Sequence, residues 1–363
     1  MALLNMIKKN EIALTMEDYT FLILGNAKSG KSSLYANLIQ EFYGDATKGL
    51  LIPFEKGYRA IKDVQVFPYT IQPKTVVEGR ERDGWGVFVE LVQELVDSKE
   101  ENGIKMLCID TIDEFFEVAT AEVIRQSFIK DKKKVATLNE AFGGFARGTK
   151  VLARIVTEQI EKLKNAGYGI VFIGHTKFKS IKLKGTDEEF NMFGSNLTDN
   201  IFSIIANSVD MITMITIEKN IVNGIVQGEE RRIRFRDDGF YLAGSRFDNL
   251  PDTIPYGAKN FKDAYIKAIR EKTAKSDDKF EEHLKAQEKI KEAKAREFIN
   301  SEKAKVLDKE ALIEKLKEVC KTDKRVASEL MKIVQEHGIS LATPKLISDD
   351  MFDLIMQQTG VRP

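Results

Sequence analysis

Residues 21–34 read Phe21-Leu22-Ile23-Leu24-Gly25-Asn26-Ala27-Lys28-Ser29-Gly30-Lys31-Ser32-Ser33-Leu34. An apolar run that suits a buried strand leads into G-x-x-x-x-G-K-S, and the start of a helix follows. A triphosphate cradle requires that order. Glycines let the backbone turn tightly, so successive N–H groups face the phosphates. The helix then presents its positive dipole end to the same anion. Gly25, Asn26, Ala27, Lys28, Ser29, Gly30, Lys31, Ser32 and Ser33 are therefore the expected cradle. Lys31 is expected to reach the β- and γ-phosphates, and the Ser32 hydroxyl to hold Mg²⁺. ATP with Mg²⁺ is the expected cofactor pair, although no portable signature in the chain reads the base.

The chain of 363 residues has room for two or three domains. Its 56 basic and 56 acidic side chains balance, so any surface for nucleic acid or membrane must be local. Cys108 and Cys320 are its two cysteines, too few for a metal cluster or a disulfide framework, and they suit a reducing compartment. No apolar stretch nears the ~20 residues that span a bilayer. Charge interrupts the short apolar run at the N-terminus, which excludes a secretory pattern. A cytoplasmic location and no membrane partner are expected.

Strand-like runs are predicted at 20–24, 49–54, 64–69, 105–109, 169–174 and 209–217, and helices at 31–42, 84–98, 113–128 and 147–166. This alternation predicts an α/β fold with a mostly parallel central sheet. Four antiparallel strands are predicted over 213–218, 221–227, 231–236 and 240–242, with Asn-Gly and Asp-Gly turns at 223–224 and 238–239. Lys, Glu and Ala then dominate 271–306, which predicts a solvated helical linker. Periodic apolar residues return over 307–363, a small helical domain whose last helix is capped by Ser348-Asp349-Asp350 and ends near Gly360. The expected division is an N-terminal extension (1–17), an ATPase domain (18–270), the linker (271–306) and the helical domain (307–363).

Hydrolysis also needs a carboxylate that supports the metal and a group that activates water. Met106-Leu107-Cys108-Ile109-Asp110 is a strand ending in Asp at the sheet edge where ligands collect, so Asp110 is the expected Mg²⁺ partner. Glu55 ends the strand at 50–54 and is the favoured base; Asp113 and Glu114 compete with it. His175 closes the strand 170–174, where a polar side chain can sense the γ-phosphate.

Four motifs in order, GNAKSGKS (25–32), LLIPFEKG (50–57), MLCIDTIDEF (106–115) and IVFIGHTK (170–177), resemble those of RecA-like P-loop ATPases. The chain is most similar to the phage and prophage branch linked to single-strand annealing and recombination. The tail RRIRFRDDGFYLAGSRFDNLP (231–251) extends the resemblance, which covers roughly 18–255. It implies a RecA-like core, Lys31 and Ser32 on phosphate and Mg²⁺, Glu55 activating water, Asp110 supporting the metal, and His175 as the γ-phosphate sensor. Histidine there departs from the amide of recombinases proper. The resemblance also implies a ring or filament of identical chains, a neighbour's cation completing each site. Arg246 is the candidate, with Arg232, Arg234 and Arg236 as others.

In such proteins the loop after the sensing strand contacts single-stranded DNA. Here it covers 178–200; Lys177, Lys179, Lys182 and Lys184 can track phosphates while Phe190 and Phe193 stack bases, although acids at 187–189 interrupt them. A second basic run, 130–134, precedes the glycine-bearing stretch 142–148. Alternatives are a motor or loader driven by a protein partner docked on 307–363, and a small-molecule kinase. The kinase is disfavoured because Arg80 and Arg82 alone could form an arginine lid.

Overall fold

The uncharged run at 21–24 and its glycine form β1 (Thr20–Gly25), buried along its whole length, which delivers the chain to α1 (Lys31–Tyr43). β2 (Gly49–Pro53), β3 (Gln65–Val66), β4 (Lys74–Val77) and β5 (Arg80–Asp83) follow, then α2 (Gly84–Asp97) and α3 (Lys99–Asn102). β6 (Met106–Asp110), α4 (Ile112–Asp131) and α5 (Arg147–Asn165) lead to β7 (Gly169–Lys182) and β8 (Glu189–Ser195). Next come α6 (Asp199–Ala206), β9 (Met211–Val222), β10 (Ile225–Arg234), β11 (Gly244–Ser245), β12 (Thr253–Pro255) and α7 (Ala258–Thr273). Helices α8 (Asp277–Thr322), α9 (Lys324–His337) and α10 (Asp349–Thr359) end the chain. This computed structural model describes residues 7, 9–182, 185, 188–223, 225–273 and 277–363.

The main sheet runs β12-β10-β9-β1-β7-β6-β2-β3. From β9 to β3 every pair is parallel, whereas β10 runs against β9 and β12 against β10. The fold is thus the α/β class expected: a mostly parallel sheet with an antiparallel extension, then an all-α C-terminal part. Side chains alternate between faces along each strand. Leu22 and Leu24 face Phe115, Phe116 and Leu152, while Phe21 and Ile23 face Tyr35, Leu38 and Tyr265. Each such side chain, fully buried, contributes about 1.5–3 kcal/mol of transfer free energy. A third apolar cluster joins Leu312, Leu316, Val326, Leu330, Ile333 and Ile355 across α8, α9 and α10.

Strand order decides what meets at the sheet's carboxyl edge. β7 lies between β1 and β6, with Gly25 opposite His175 and Asp110 opposite Ile173. The phosphate loop, His175 and Asp110 therefore finish side by side.

Several local expectations change. Residues 178–200, expected as a loop, instead extend β7, form β8 and begin α6. Phe178 packs on Phe193 across the β7–β8 ribbon with ring centroids 3.7 Å apart, and that contact favours pairing. The four short antiparallel strands are two long ones, β9 and β10; of residues 240–242, Tyr241 alone forms a bridge, to Phe193. The expected strand at 64–69 shrinks to Gln65–Val66. Residue 306, where linker and helical domain were divided, falls inside α8, whose 46 residues contain no glycine or proline to stop a helix. Ser348 caps α10, accepting from Met351 N–H, and Gly360 ends it with φ +73°. No helix among the described residues is long and apolar enough to cross a membrane.

Candidate nucleotide-binding and hydrolysis site

Between β1 and α1 the loop turns through Lys28 at φ +63° and Gly30 at φ +102°. A side chain at Gly30 is excluded twice, by that φ and by Tyr256, whose hydroxyl would lie 2.7 Å from a Cβ. The Tyr256 hydroxyl donates to the Gly30 carbonyl at 2.8 Å, and the Arg231 guanidinium stands 5.8 Å from the same ring. On the other flank Thr176 Oγ1 donates to Asn26 Oδ1 at 2.7 Å. The cradle is thus pinned at both ends.

Lys31 is buried, and its ammonium donates to the carbonyls of Gly25 and Asn26, each at 2.9 Å. Burial lowers its pKa, against the pull of Asp110, Glu55 and Asp113. Ser32 Oγ donates to Asp110 Oδ2 at 2.5 Å. Asp110 is 3% exposed, and burial pushes its carboxyl up to about 6, against the Ser32 hydrogen bond. The Asp110–Thr111 peptide is cis.

Glu55 Oε2 lies 3.1 Å from His175 Nε2, and His175 Nδ1 lies 3.5 Å from Lys31 Nζ. A ring carrying its proton on Nε2 fits both contacts: it donates to Glu55 and accepts from Lys31. The hydrogen bond from His175 holds the Glu55 carboxyl below its ordinary range, against burial. The same bond raises His175, against burial and the Lys31 charge. Among the described residues Glu55 Oε1 makes no hydrogen bond, and an ionised carboxylate there can take a proton from water.

The competing acids stand differently. Asp113 Oδ2 accepts from the His175 backbone N–H at 2.9 Å, which makes it an anchor for β7. Glu114 is exposed in the first turn of α4; partial desolvation of its carboxyl and the nearby Glu117, Glu55 and Asp113 raise its pKa. Arg246 lies on the far edge of the sheet. It follows β11, which pairs with the amino end of β9, and it reaches Asp210 at 3.2 Å. Arg232, Arg234 and Arg236 pair with Glu218 and Glu230, with Glu218 and Asp238, and with Asp252.

Of the candidate DNA-contacting lysines, Lys179 binds Asp199 at 2.6 Å and Lys182 binds Glu189 at 3.1 Å. Lys177 makes no ion pair among the described residues, and Lys184 lies outside them. Exposed Phe178 and Phe240 pack against Phe193, and Tyr241 stacks on it with centroids 5.7 Å apart, while exposed Phe190 lies farther along β8, opposite Ile181.

Sequence reasoning missed Tyr256 and the anchoring roles of Thr176 and Asp113. The Tyr-Gly pair at 256–257, just before a helix, was the available hint.

The donor set suits Mg²⁺ with a triphosphate. A hydroxyl and a buried carboxylate oxygen are hard ligands, and no cluster of three or more His, Cys, Asp or Glu among the described residues offers a fuller cage. Buried Ser29 Oγ, inside the loop, has no hydrogen-bond partner among the described residues, as expected of a group that a phosphate oxygen would satisfy.

The SPbeta prophage-derived uncharacterized protein YorG of Bacillus subtilis (strain 168) is 24% identical over 264 residues, covering 71% of this chain and 69% of its own. A solved structure, the KaiC-like protein PH0186 of Pyrococcus horikoshii OT3, matches 66% of this chain and 91% of its own at 13% identity, with a TM-score of 0.33. The sequence profile described as an AAA domain matches residues 17–247, well over half of the molecule. With the phosphate loop, Asp110, Glu55 and His175 all inside that match, the chain belongs to the AAA-domain family of P-loop ATPases.

Proposed function

We propose that this protein binds and hydrolyses ATP with Mg²⁺ and couples hydrolysis to single-stranded DNA, as a cytoplasmic prophage protein of recombination, annealing or replication. One observation carries the reading: His175, which joins Glu55 to Lys31, stands at the root of the β7–β8 ribbon. The residue after it, Thr176, holds the phosphate loop through Asn26.

Lys31 and the loop N–H groups orient the triphosphate, Ser32 and Asp110 hold the metal, and Glu55 takes the proton from the attacking water. Mg²⁺, when bound, neutralises charge that builds on the transferring phosphate. The exposed phenylalanines of the ribbon supply stacking surfaces, and Lys177 a phosphate contact. A ring or filament of identical chains fits the exposed Arg246: on the edge opposite its own phosphate loop, it can complete only a neighbour's site.

The test is steady-state ATP hydrolysis with and without single-stranded DNA, with Lys31→Ala as the blank. Stimulation that falls as salt rises supports the reading. Hydrolysis indifferent to DNA overturns the DNA part, and turnover stimulated only by a protein would make the chain a loader docking through 307–363.

A further inference from the structure

The sheet's other edge holds a cavity of about 330 Å³, closed by α8 and far from the phosphate loop. Lys105, which precedes β6, and Gly167, which precedes β7, both line it. Three lysines converge there from different elements: Lys99 from α3, Lys105, and Lys291 from α8. Lys99 has no carboxylate within salt-bridge distance among the described residues. Its ammonium donates to the Ile104 carbonyl at 2.6 Å and lies 3.6 Å from the centre of the Tyr168 ring. Burial, with Lys105 and Lys291 close by, drives its pKa down to about 7 against the pull of Glu17. Glu17 stands 3.9 Å from Lys105, and Asp18 takes Lys291 at 2.7 Å. The acids Glu288 and Glu292 of α8 also line the wall, and Arg296 is held by Glu100 at 2.6 Å.

A half-buried ammonium without a carboxylate is costly, and two further ammonium groups beside it raise that cost. Lys105 and Lys291 already face Glu17 and Asp18, so the oxygens of an anion would chiefly supply the partner that Lys99 lacks. Ammonium groups act as point charges with rotating donors, which suits a tetrahedral phosphate better than a planar carboxylate. Ile104, Ala295 and Ile299 supply an apolar wall beside the lysines.

We infer that this cavity binds a small phosphate monoester, with the phosphate among Lys99, Lys105 and Lys291 and the organic body against Ile104 and Ile299. Such a ligand ties α8 to the ATPase core. The site is separate from the nucleotide site and does not depend on the function proposed above.

The full chain carrying Lys31→Ala removes the phosphate loop from the answer. Inorganic phosphate and glycerol 3-phosphate are titrated into it by calorimetry at fixed ionic strength. Saturable binding of both is expected, weakened at least tenfold by Lys99→Met and unchanged by Lys317→Met on the exposed side of α8. Lys291→Met, on the opposite wall, should give the same loss and serves as the test if Lys99→Met does not fold. Absence of saturable binding, or equal affinities in Lys99→Met and Lys317→Met, overturns the site. Binding of inorganic phosphate without glycerol 3-phosphate overturns the ligand class.

Discussion

His175 Nε2 stands 3.1 Å from Glu55 Oε2 while the same ring's Nδ1 stands 3.5 Å from Lys31 Nζ. One imidazole therefore links the proposed base to the phosphate-binding cation. The contact keeps Glu55 ionised, yet a carboxylate held below its ordinary range is a weaker base. Glu55→Gln should retain ATP binding and lose hydrolysis by about 10²–10⁴-fold, the span of general-base catalysis. Glu114→Gln should stay near the parent rate. Nucleotide titration beside steady-state turnover separates the two effects, and the reverse ranking would give the base to Glu114.

His175→Ala should uncouple the ribbon from the site. Nucleotide affinity is expected to change little, since Lys31 keeps its two carbonyl partners, while stimulation by single-stranded DNA disappears. His175→Gln, which can still donate to Glu55, should restore part of the stimulation. Stimulation that survives in His175→Ala would show that the signal travels by another route.

Gly30→Ala should lose nucleotide binding, because a Cβ meets the Tyr256 hydroxyl at 2.7 Å and φ is +102°. Tyr256→Ala in the same chain removes the collision but not the left-handed strain, about 1–2 kcal/mol, so rescue should be partial. Full rescue would mean that contact alone excludes a side chain there.

The phosphate loop was legible because cradle, cation and metal hydroxyl lie within nine consecutive residues. Asp110 and Glu55 were readable because each ends an apolar run, and in a parallel sheet strand ends share an edge. Tyr256 was not, since the carbonyl it holds lies 226 residues away and a lone tyrosine carries no spacing signal. The β7–β8 ribbon was hidden by lysines on an exposed strand, where pairing depends on a cross-strand aromatic contact rather than on burial. Arg246 could be noticed by residue type, but its edge of the sheet follows from the pairing of β11.

Phe178 and Lys177 separate two kinds of DNA contact. If bases stack on the ribbon, Phe178→Ala should weaken single-stranded DNA by about 1–3 kcal/mol with the salt dependence unchanged. Lys177→Ala should instead reduce the salt slope by roughly one. Fluorescence anisotropy over a salt series distinguishes them, and parent-like curves for both would remove the ribbon from the interface.

The helical C-terminal part has a titratable latch. Buried Lys309 donates to the Ile347 carbonyl at 2.7 Å and to Asp349 Oδ1 at 2.6 Å. Burial opposes ionisation of Asp349, but the hydrogen bonds and charges of Lys309 and Lys305 prevail and lower its pKa. A lowered folded value contributes stability that is complete above the ordinary 3.8 and lost as pH falls through the folded value. Thermal melts of the parent should therefore lose stability faster below about pH 4 than melts of Asp349→Asn. Lys309→Met should cost about 1–3 kcal/mol at neutral pH, because it strands the buried Ile347 carbonyl, while Asp349 keeps Lys305. Identical acid limbs in parent and Asp349→Asn would discard the latch.

β7 runs without a break from Gly169, inside the sheet, to Lys182, outside it. Its seven residues beyond His175 extend roughly 23 Å at about 3.3 Å each. No glycine interrupts them, and the nearest, Gly174, is wedged where a Cβ would meet Ile112 at 2.9 Å and Leu24 at 3.0 Å. The strand is thus a crank with a fixed bearing. A sideways push at its tip is geared down to a small turn beside Gly174, and the parts fastened to that short shaft are Glu55, Asn26 and Asp113.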